Sequence, residues 1–78
     1  MMLEGIDTEV IELSPAPNSK IIGIPLEELD FPPDAVVGAI IKGETEEIAM
    51  GKSIIELGDR VIVFARASRV KDVEAIFN

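Results

Sequence analysis

The order of apolar and polar positions along the chain predicts several short strands. Residues 6–13 predict a first strand, with Thr8, Val10 and Glu12 on one of its faces. Residues 35–41 are wholly apolar, which is typical of a strand covered on both faces. Residues 60–65 predict another buried strand, after a turn at Leu57-Gly58-Asp59. Residues 46–50 follow a turn at residues 42–45 and predict the returning strand of a hairpin.

Two further segments follow a helical spacing. Pro25 fits the first position of a short helical turn, in which Leu26 and Leu29 lie three apart on one side. Near the end of the chain, Ser68 is a candidate N-cap for a final helix. That helix carries an apolar stripe made of Val70, Val73, Ile76 and Phe77. The predicted fold is therefore a small α+β domain, with a mostly antiparallel sheet of about four strands, a short helical turn and a C-terminal helix.

Size and composition narrow the possible functions. A chain of 78 residues forms one domain at most, so residues 1–78 are taken as a single domain. Twelve Ile and seven Val outnumber five Leu, and β-branched residues favour sheet. The formal net charge of −8 repels phosphate backbones, so we expect no nucleic-acid partner. No apolar run approaches the ~20 residues of a membrane span, and Met1-Met2-Leu3-Glu4 lacks the features of a signal peptide. We therefore expect a cytoplasmic protein without direct membrane insertion.

The residues offer little catalytic chemistry. The chain has no Cys and no His, which removes thiolate ligands, the most common general base and any triad built on His. Gly51-Lys52-Ser53 is similar to the end of a phosphate-binding loop, but Glu46 stands where the first glycine of that motif belongs. Two groups of carboxylates could attract hard cations, but their spacing does not fit a calcium-binding loop. The first group is Glu27, Glu28, Asp30 and Asp34, and the second is Glu44, Glu46 and Glu47. We expect no enzyme and no metal site. The rival hypothesis is a small hydrolase that uses scattered carboxylates, Asp30 among them.

Four segments in order resemble one known family. Residues 19–32 read Ser-Lys-Ile-Ile-Gly-Ile-Pro-Leu-Glu-Glu-Leu-Asp-Phe-Pro, and resemble the pattern S-x-x-x-G-x-x-L-x-E-L-x-x-P of the TrkA C-terminal domain, the C-lobe of regulators of potassium conductance. Residues 35–43 resemble the strand and turn that follow in that family. Residues 54–64, which contain Gly58-Asp59, resemble its signature L-x-x-G-D-x-V-x-V-F. Residues 72–77 resemble the closing helix of the Trk potassium-uptake regulators, so the resemblance runs from about Asp7 to Phe77.

The resemblance implies a cytoplasmic regulatory module of a potassium transport system. In the family, the domain follows a nucleotide-binding Rossmann domain, pairs into dimers and helps to gate a membrane potassium channel or transporter. No Gly-x-Gly-x-x-Gly motif occurs in this chain, so we assign it no NAD or ATP cofactor and expect it to be part of a longer protein. The alternative is the same domain serving as the regulatory module of another ion transporter or antiporter.

The resemblance also indicates where a ligand would bind. Some members of the family bind a cyclic dinucleotide at the dimer interface, and carry basic, aromatic and Asn residues just after the Leu-Asp pair. The corresponding residues 31–36 contain no Arg and no Asn, and Asp34 would repel a diphosphate. If the chain binds a small molecule, we expect Asp30, Phe31, Asp34 and Val36 to contact it.

Overall fold

The computed structural model describes residues 7–78. The predicted start of the first strand at Ile6, and the N-terminal residues 1–4, lie outside the described residues. The strands are β1 (Thr8–Leu13), β2 (Ala35–Lys42), β3 (Thr45–Ile48) and β4 (Arg60–Arg66), and the helix is α1 (Val70–Phe77). Single 3-10 turns occupy Leu26–Glu28 and Ala67–Arg69.

The four strands form one antiparallel sheet in the order β1-β4-β2-β3. This confirms the predicted α+β class, the hairpin and the final helix. Along β4, Val61, Val63 and Ala65 are buried, while the residues between them are more exposed. The buried face packs against α1, whose Val73 and Phe77 are 0% and 2% exposed, as the apolar stripe predicts.

Within residues 7–78, no helix packs on one face of the sheet, which corrects the prediction that residues 35–41 are covered on both faces. Val36 on β2 remains 59% exposed and Phe64 on β4 39%. Both strands are rich in Val and Ile because they lie at the centre of the sheet. The single short helix covers only the face that carries Val37 and Ile40.

Two local predictions were wrong in detail. Ser68 lies within the 3-10 turn that precedes α1, the helix begins after Arg69, and no side chain caps it. The extra turn places Ser68 too early to reach the N–H groups of the helix. The returning strand spans Thr45–Ile48 and stops before Met50, because the Met50 N–H donates to Ser53 Oγ instead of to a neighbouring strand.

The 3-10 turn at Leu26–Glu28 lies where the sequence predicted a helical turn, with Pro25 as the residue before it. Leu26 and Leu29 both pack against the core, as their spacing predicts. Among the described residues, no helix is long and apolar enough to cross a membrane.

Candidate functional site

A groove of about 360 Å³ runs beside the first half of β2. The 3-10 turn at Leu26–Glu28 and the segment that follows it form one wall, and residues 49–51 form another. Its lining is mainly apolar and includes Leu26, Leu29, Phe31, Val36, Val37 and Met50. The groove is therefore suited to an apolar occupant.

Backbone hydrogen bonds hold the two walls together. The Leu26 N–H donates to the Ser53 carbonyl at 2.9 Å, and the Glu27 N–H donates to the Gly51 carbonyl at 2.8 Å. A Cβ on Gly51 would lie 2.7 Å from Glu27 Oε1, so a side chain here would displace the end of the Glu27 side chain. Gly51-Lys52-Ser53 is thus a structural turn, as the failed match to a phosphate-binding loop indicated.

The four residues predicted for ligand contact do not all reach the groove. Phe31 and Val36 line it, whereas Asp30 and Asp34 do not belong to its lining. The Phe31 ring also contacts the buried Phe77 ring, with the centroids 6.3 Å apart. The wall of the groove is therefore continuous with the core under α1.

Asp34 faces two arginines that the sequence argument missed. Its Oδ2 lies 3.4 Å from Arg66 Nε and 3.8 Å from Arg69 Nε. Arg69 also pairs with Asp72 at 3.5 Å. Residues 31–36 contain no cation, and β4 and the turn after it supply both arginines from far along the chain. A negative charge at Asp34 is thus already neutralised in the fold.

The second candidate surface is the face of the sheet opposite α1, which we call the open face. Residues paired across antiparallel strands share a face, so the register places Val10, Phe64 and Val36 in one row across β1, β4 and β2. A second row joins Glu12, Ile62, Ala39 and Ile48 across all four strands. The charged residues of the open face are Glu12, Asp34, Glu46, Arg60 and Arg66, which are three carboxylates and two arginines. The face is apolar at its centre and has nearly as many arginines as carboxylates, on a chain of net charge −8.

The Gly58-Asp59 pair of the family signature has a structural role. Gly58 adopts φ +92°, which L-residues rarely tolerate. Asp59 is 6% exposed, and its Oδ2 accepts the Glu56 N–H at 2.9 Å and contacts the Lys42 ammonium. Partial burial acts to lower the pKa of Lys42, but hydrogen bonds and charges from Asp59 and Glu56 outweigh it, so this pKa is raised. The pair joins the turn before β4 to the end of β2.

The described residues contain no group of three or more Asp and Glu placed to hold a metal ion. Of the two acidic groups noted in the sequence, Glu27 borders the groove and Glu47 accepts a hydrogen bond from Ser53 Oγ at 2.9 Å. These carboxylates act as separate surface charges and turn contacts.

Comparisons with known proteins agree with this architecture. A solved structure described as an RCK domain with cda matches with a TM-score of 0.78, at 23% identity, over 88% of this chain and 97% of that one. The Trk system potassium uptake protein TrkA homolog 2 of Methanosarcina mazei is 41% identical over 75 residues, which is 96% of this chain and 17% of the relative. The Trk system potassium uptake protein TrkA of Vibrio alginolyticus is 38% identical over 60 residues, 76% of this chain and 13% of the relative.

The chain spans less than a fifth of the length of these curated relatives. The family model of the TrkA-C domain matches residues 10–78, nearly all of the described residues and the whole of the sheet except the start of β1. The order of strands, the groove beside β2 and the turn built on Gly58 and Asp59 all lie inside that match. On this evidence the chain belongs to the TrkA-C domain family.

Proposed function

We propose that this chain is a non-catalytic regulatory module of a potassium uptake system. The curated relatives are named as Trk potassium uptake proteins, which supports a potassium system over the alternative, another ion transporter or antiporter. The module would act in the cytoplasm, as one domain of a longer protein, on a membrane potassium transporter or channel. It acts by coupling two surfaces and not by chemistry on a substrate.

The first surface is the open face of the sheet, which we propose as a homodimer interface. The observation that carries this proposal is the low net charge of a face with an apolar centre. Two copies of a chain with net charge −8 repel each other, yet the open face sets two arginines against three carboxylates. A two-fold interface brings the same patch of both copies together, so an apolar patch of low net charge is the surface that two such chains can share.

The second surface is the groove, where a bound molecule would contact Phe31 and Val36. Val36 belongs to both surfaces, since it lines the groove and lies opposite Phe64 in the open face. A ligand that binds better to one arrangement of the dimer shifts the population toward that arrangement. Val36 thus offers a direct path from groove to interface. Asp30 and Asp34 lie outside the groove lining, so they would contact only a ligand that extends beyond the groove.

Sedimentation equilibrium of the 78-residue chain tests the proposed dimer. We expect a concentration-dependent dimer that weakens by at least tenfold in Ile48→Lys, because a charge would then lie in the apolar centre of the interface. Ile48 is 79% exposed, so the substitution should leave the fold intact. The added lysine also lowers the net negative charge, so general repulsion cannot explain a loss of dimer.

Leu57→Lys is the matched control. Leu57 is 61% exposed in the turn before β4. Its replacement by lysine adds the same charge as Ile48→Lys, but at a position outside the open face. We expect this variant to dimerise like the unsubstituted chain. A chain that stays monomeric well above micromolar concentration, or equal losses in both variants, would contradict the proposed interface.

A further inference from the structure

The groove lies along a stretch of strand edge that no other strand of the described residues 7–78 covers. β3 pairs with β2 only from Ala39 to Lys42, whereas β4 pairs with β2 from Ala35 onward. Residues 35–37 therefore have a strand neighbour on one side only. The ends of this stretch are closed, because the Ala35 N–H donates to Pro32 and the Gly38 carbonyl accepts from Ala49.

The backbone of this stretch is oriented toward the groove. The Asp34 carbonyl accepts the Arg66 N–H at 3.0 Å, so Asp34 directs its backbone groups at β4. In an antiparallel strand this direction alternates from residue to residue. The backbone groups of Val36 then also face β4. The Ala35 carbonyl and both backbone groups of Val37 face the opposite side, where the groove lies, while the Ala35 N–H donates to Pro32.

The side chains that line the groove support the same placement. Val37 points to the helix-covered face and Val36 to the open face, yet both line the groove. Since successive side chains lie on opposite faces of a sheet, a cavity that contacts both must lie at the edge of the strand. An occupant of the groove would extend the line that β3 begins.

The groove lining carries negative charge only. Glu27 is its charged lining residue, and its carboxylate lies over Gly51. None of the lysines and arginines of the described residues contributes to the lining. A phosphate-bearing ligand would meet a carboxylate here, whereas a lysine or arginine next to apolar side chains would be attracted.

We propose that the groove binds a short extended segment of polypeptide that carries aliphatic and cationic side chains, and that this segment adds as a strand beside residues 35–37 of β2. Main-chain hydrogen bonds supply affinity in this mode, and side-chain pockets supply specificity. This inference names the kind of molecule that binds in the groove, and its biological meaning rests on the proposed regulatory function. The dimer is measured separately by sedimentation, so a chain that dimerises but binds no peptide would overturn this inference alone.

Three synthetic hexapeptides titrated into the ¹⁵N-labelled chain test the proposal by NMR. The probe is acetyl-Lys-Val-Lys-Val-Lys-Val-amide, and the charge control replaces every lysine with glutamate. A third peptide replaces the central valine with proline, which removes one backbone donor and keeps the charge. We expect the lysine peptide alone to shift the amide resonances of Leu26, Val37 and Met50.

Substitution of Glu27 separates specific binding from general attraction to an acidic chain. Glu27→Gln should weaken the lysine peptide by about two- to fivefold, the size expected for an exposed charge pair. The matched control is Glu44→Gln, which removes the same charge from an exposed position in the hairpin turn outside the groove lining. The proposal is overturned by equal losses in both variants, by equal binding of the glutamate or proline peptide, or by no binding at millimolar concentration.

Discussion

The ammonium of Lys42, at the end of β2, contacts the carboxylate of Asp59, which lies 17 residues later in the turn before β4. Asp59 is one of the two polar or charged residues buried in the described part of the chain. Its second contact, with the Glu56 N–H, lies within its own turn. The pair therefore fixes a family motif to the end of the strand that borders the groove.

Replacement of Lys42 by methionine should destabilise the chain. The buried carboxylate of Asp59 would lose its counter-charge, which costs about 1–3 kcal/mol once the 29% exposure of the Lys42 side chain is considered. The measurement is urea unfolding at pH 7. The matched control is Lys52→Met, an exposed position in the turn that follows Met50, where we expect a change within about 0.5 kcal/mol.

The effect of Lys42→Met should also depend on pH. The pKa of Lys42 is raised in the folded chain, so its contribution is complete below 10.5, the ordinary lysine value, and is lost as pH rises through the raised value. The difference in unfolding free energy between the two chains should be constant from pH 7 to 9 and shrink above pH 10.5. A difference that falls between pH 5 and 8 would contradict this assignment.

Gly38 should not tolerate a side chain. β2 shifts register between Val37 and Ala39, and the ring of Phe64 occupies the space that a Cβ on Gly38 would need. Gly38→Ala should cost about 1–3 kcal/mol, because the ring must leave its position on the open face. Phe64→Leu in the same chain should recover part of the loss. Additive losses in the double variant would show that the two residues do not conflict.

Ser19 should stabilise the attachment of α1. It is 7% exposed, and its Oγ donates to the Ile76 carbonyl at 3.2 Å and accepts the Ile21 N–H at 3.4 Å. Ser19→Ala leaves these groups unpaired, which should cost about 1–3 kcal/mol and speed hydrogen exchange in α1 more than in β4. Ser68→Ala is the control, with an expected change within about 0.5 kcal/mol. A loss near 1 kcal/mol would instead show that Ser68 caps the helix in solution.

Neutralising Asp34 should turn a closed ion-pair cluster into a weak anion site. Asp34→Asn releases Arg66 and removes one of the two partners of Arg69. Titration calorimetry with pyrophosphate should detect salt-sensitive binding in the variant and much weaker binding in the original chain. Stability should change by less than about 1 kcal/mol, because these charges are well exposed. Asp30→Asn removes the same charge without releasing an arginine, and equal binding by that variant would contradict the argument.

The sequence by itself determined the order and type of the elements. The runs rich in β-branched residues at 35–41 and 60–65 predict strands. A strand can be predicted in this way because its signals, the apolar run and the flanking turn residues, are all local in the sequence. Gly58 and Asp59 likewise indicate a turn through their own backbone preferences. The helix was found from its stripe, but its start was misplaced, because nothing local separates the 3-10 turn at Ala67–Arg69 from the helix itself.

Only the tertiary structure decided which faces and edges of the sheet are exposed and which charged side chains meet. Whether β2 is covered on one face or two depends on how much helix is available to pack against it, and α1 is only eight residues long. The two arginines at Asp34 come from β4 and the turn beyond it, and the free edge of β2 exists because β3 ends at Ile48. These relations depend on which distant segments meet, and a one-dimensional pattern of polar and apolar positions does not encode such contacts directly.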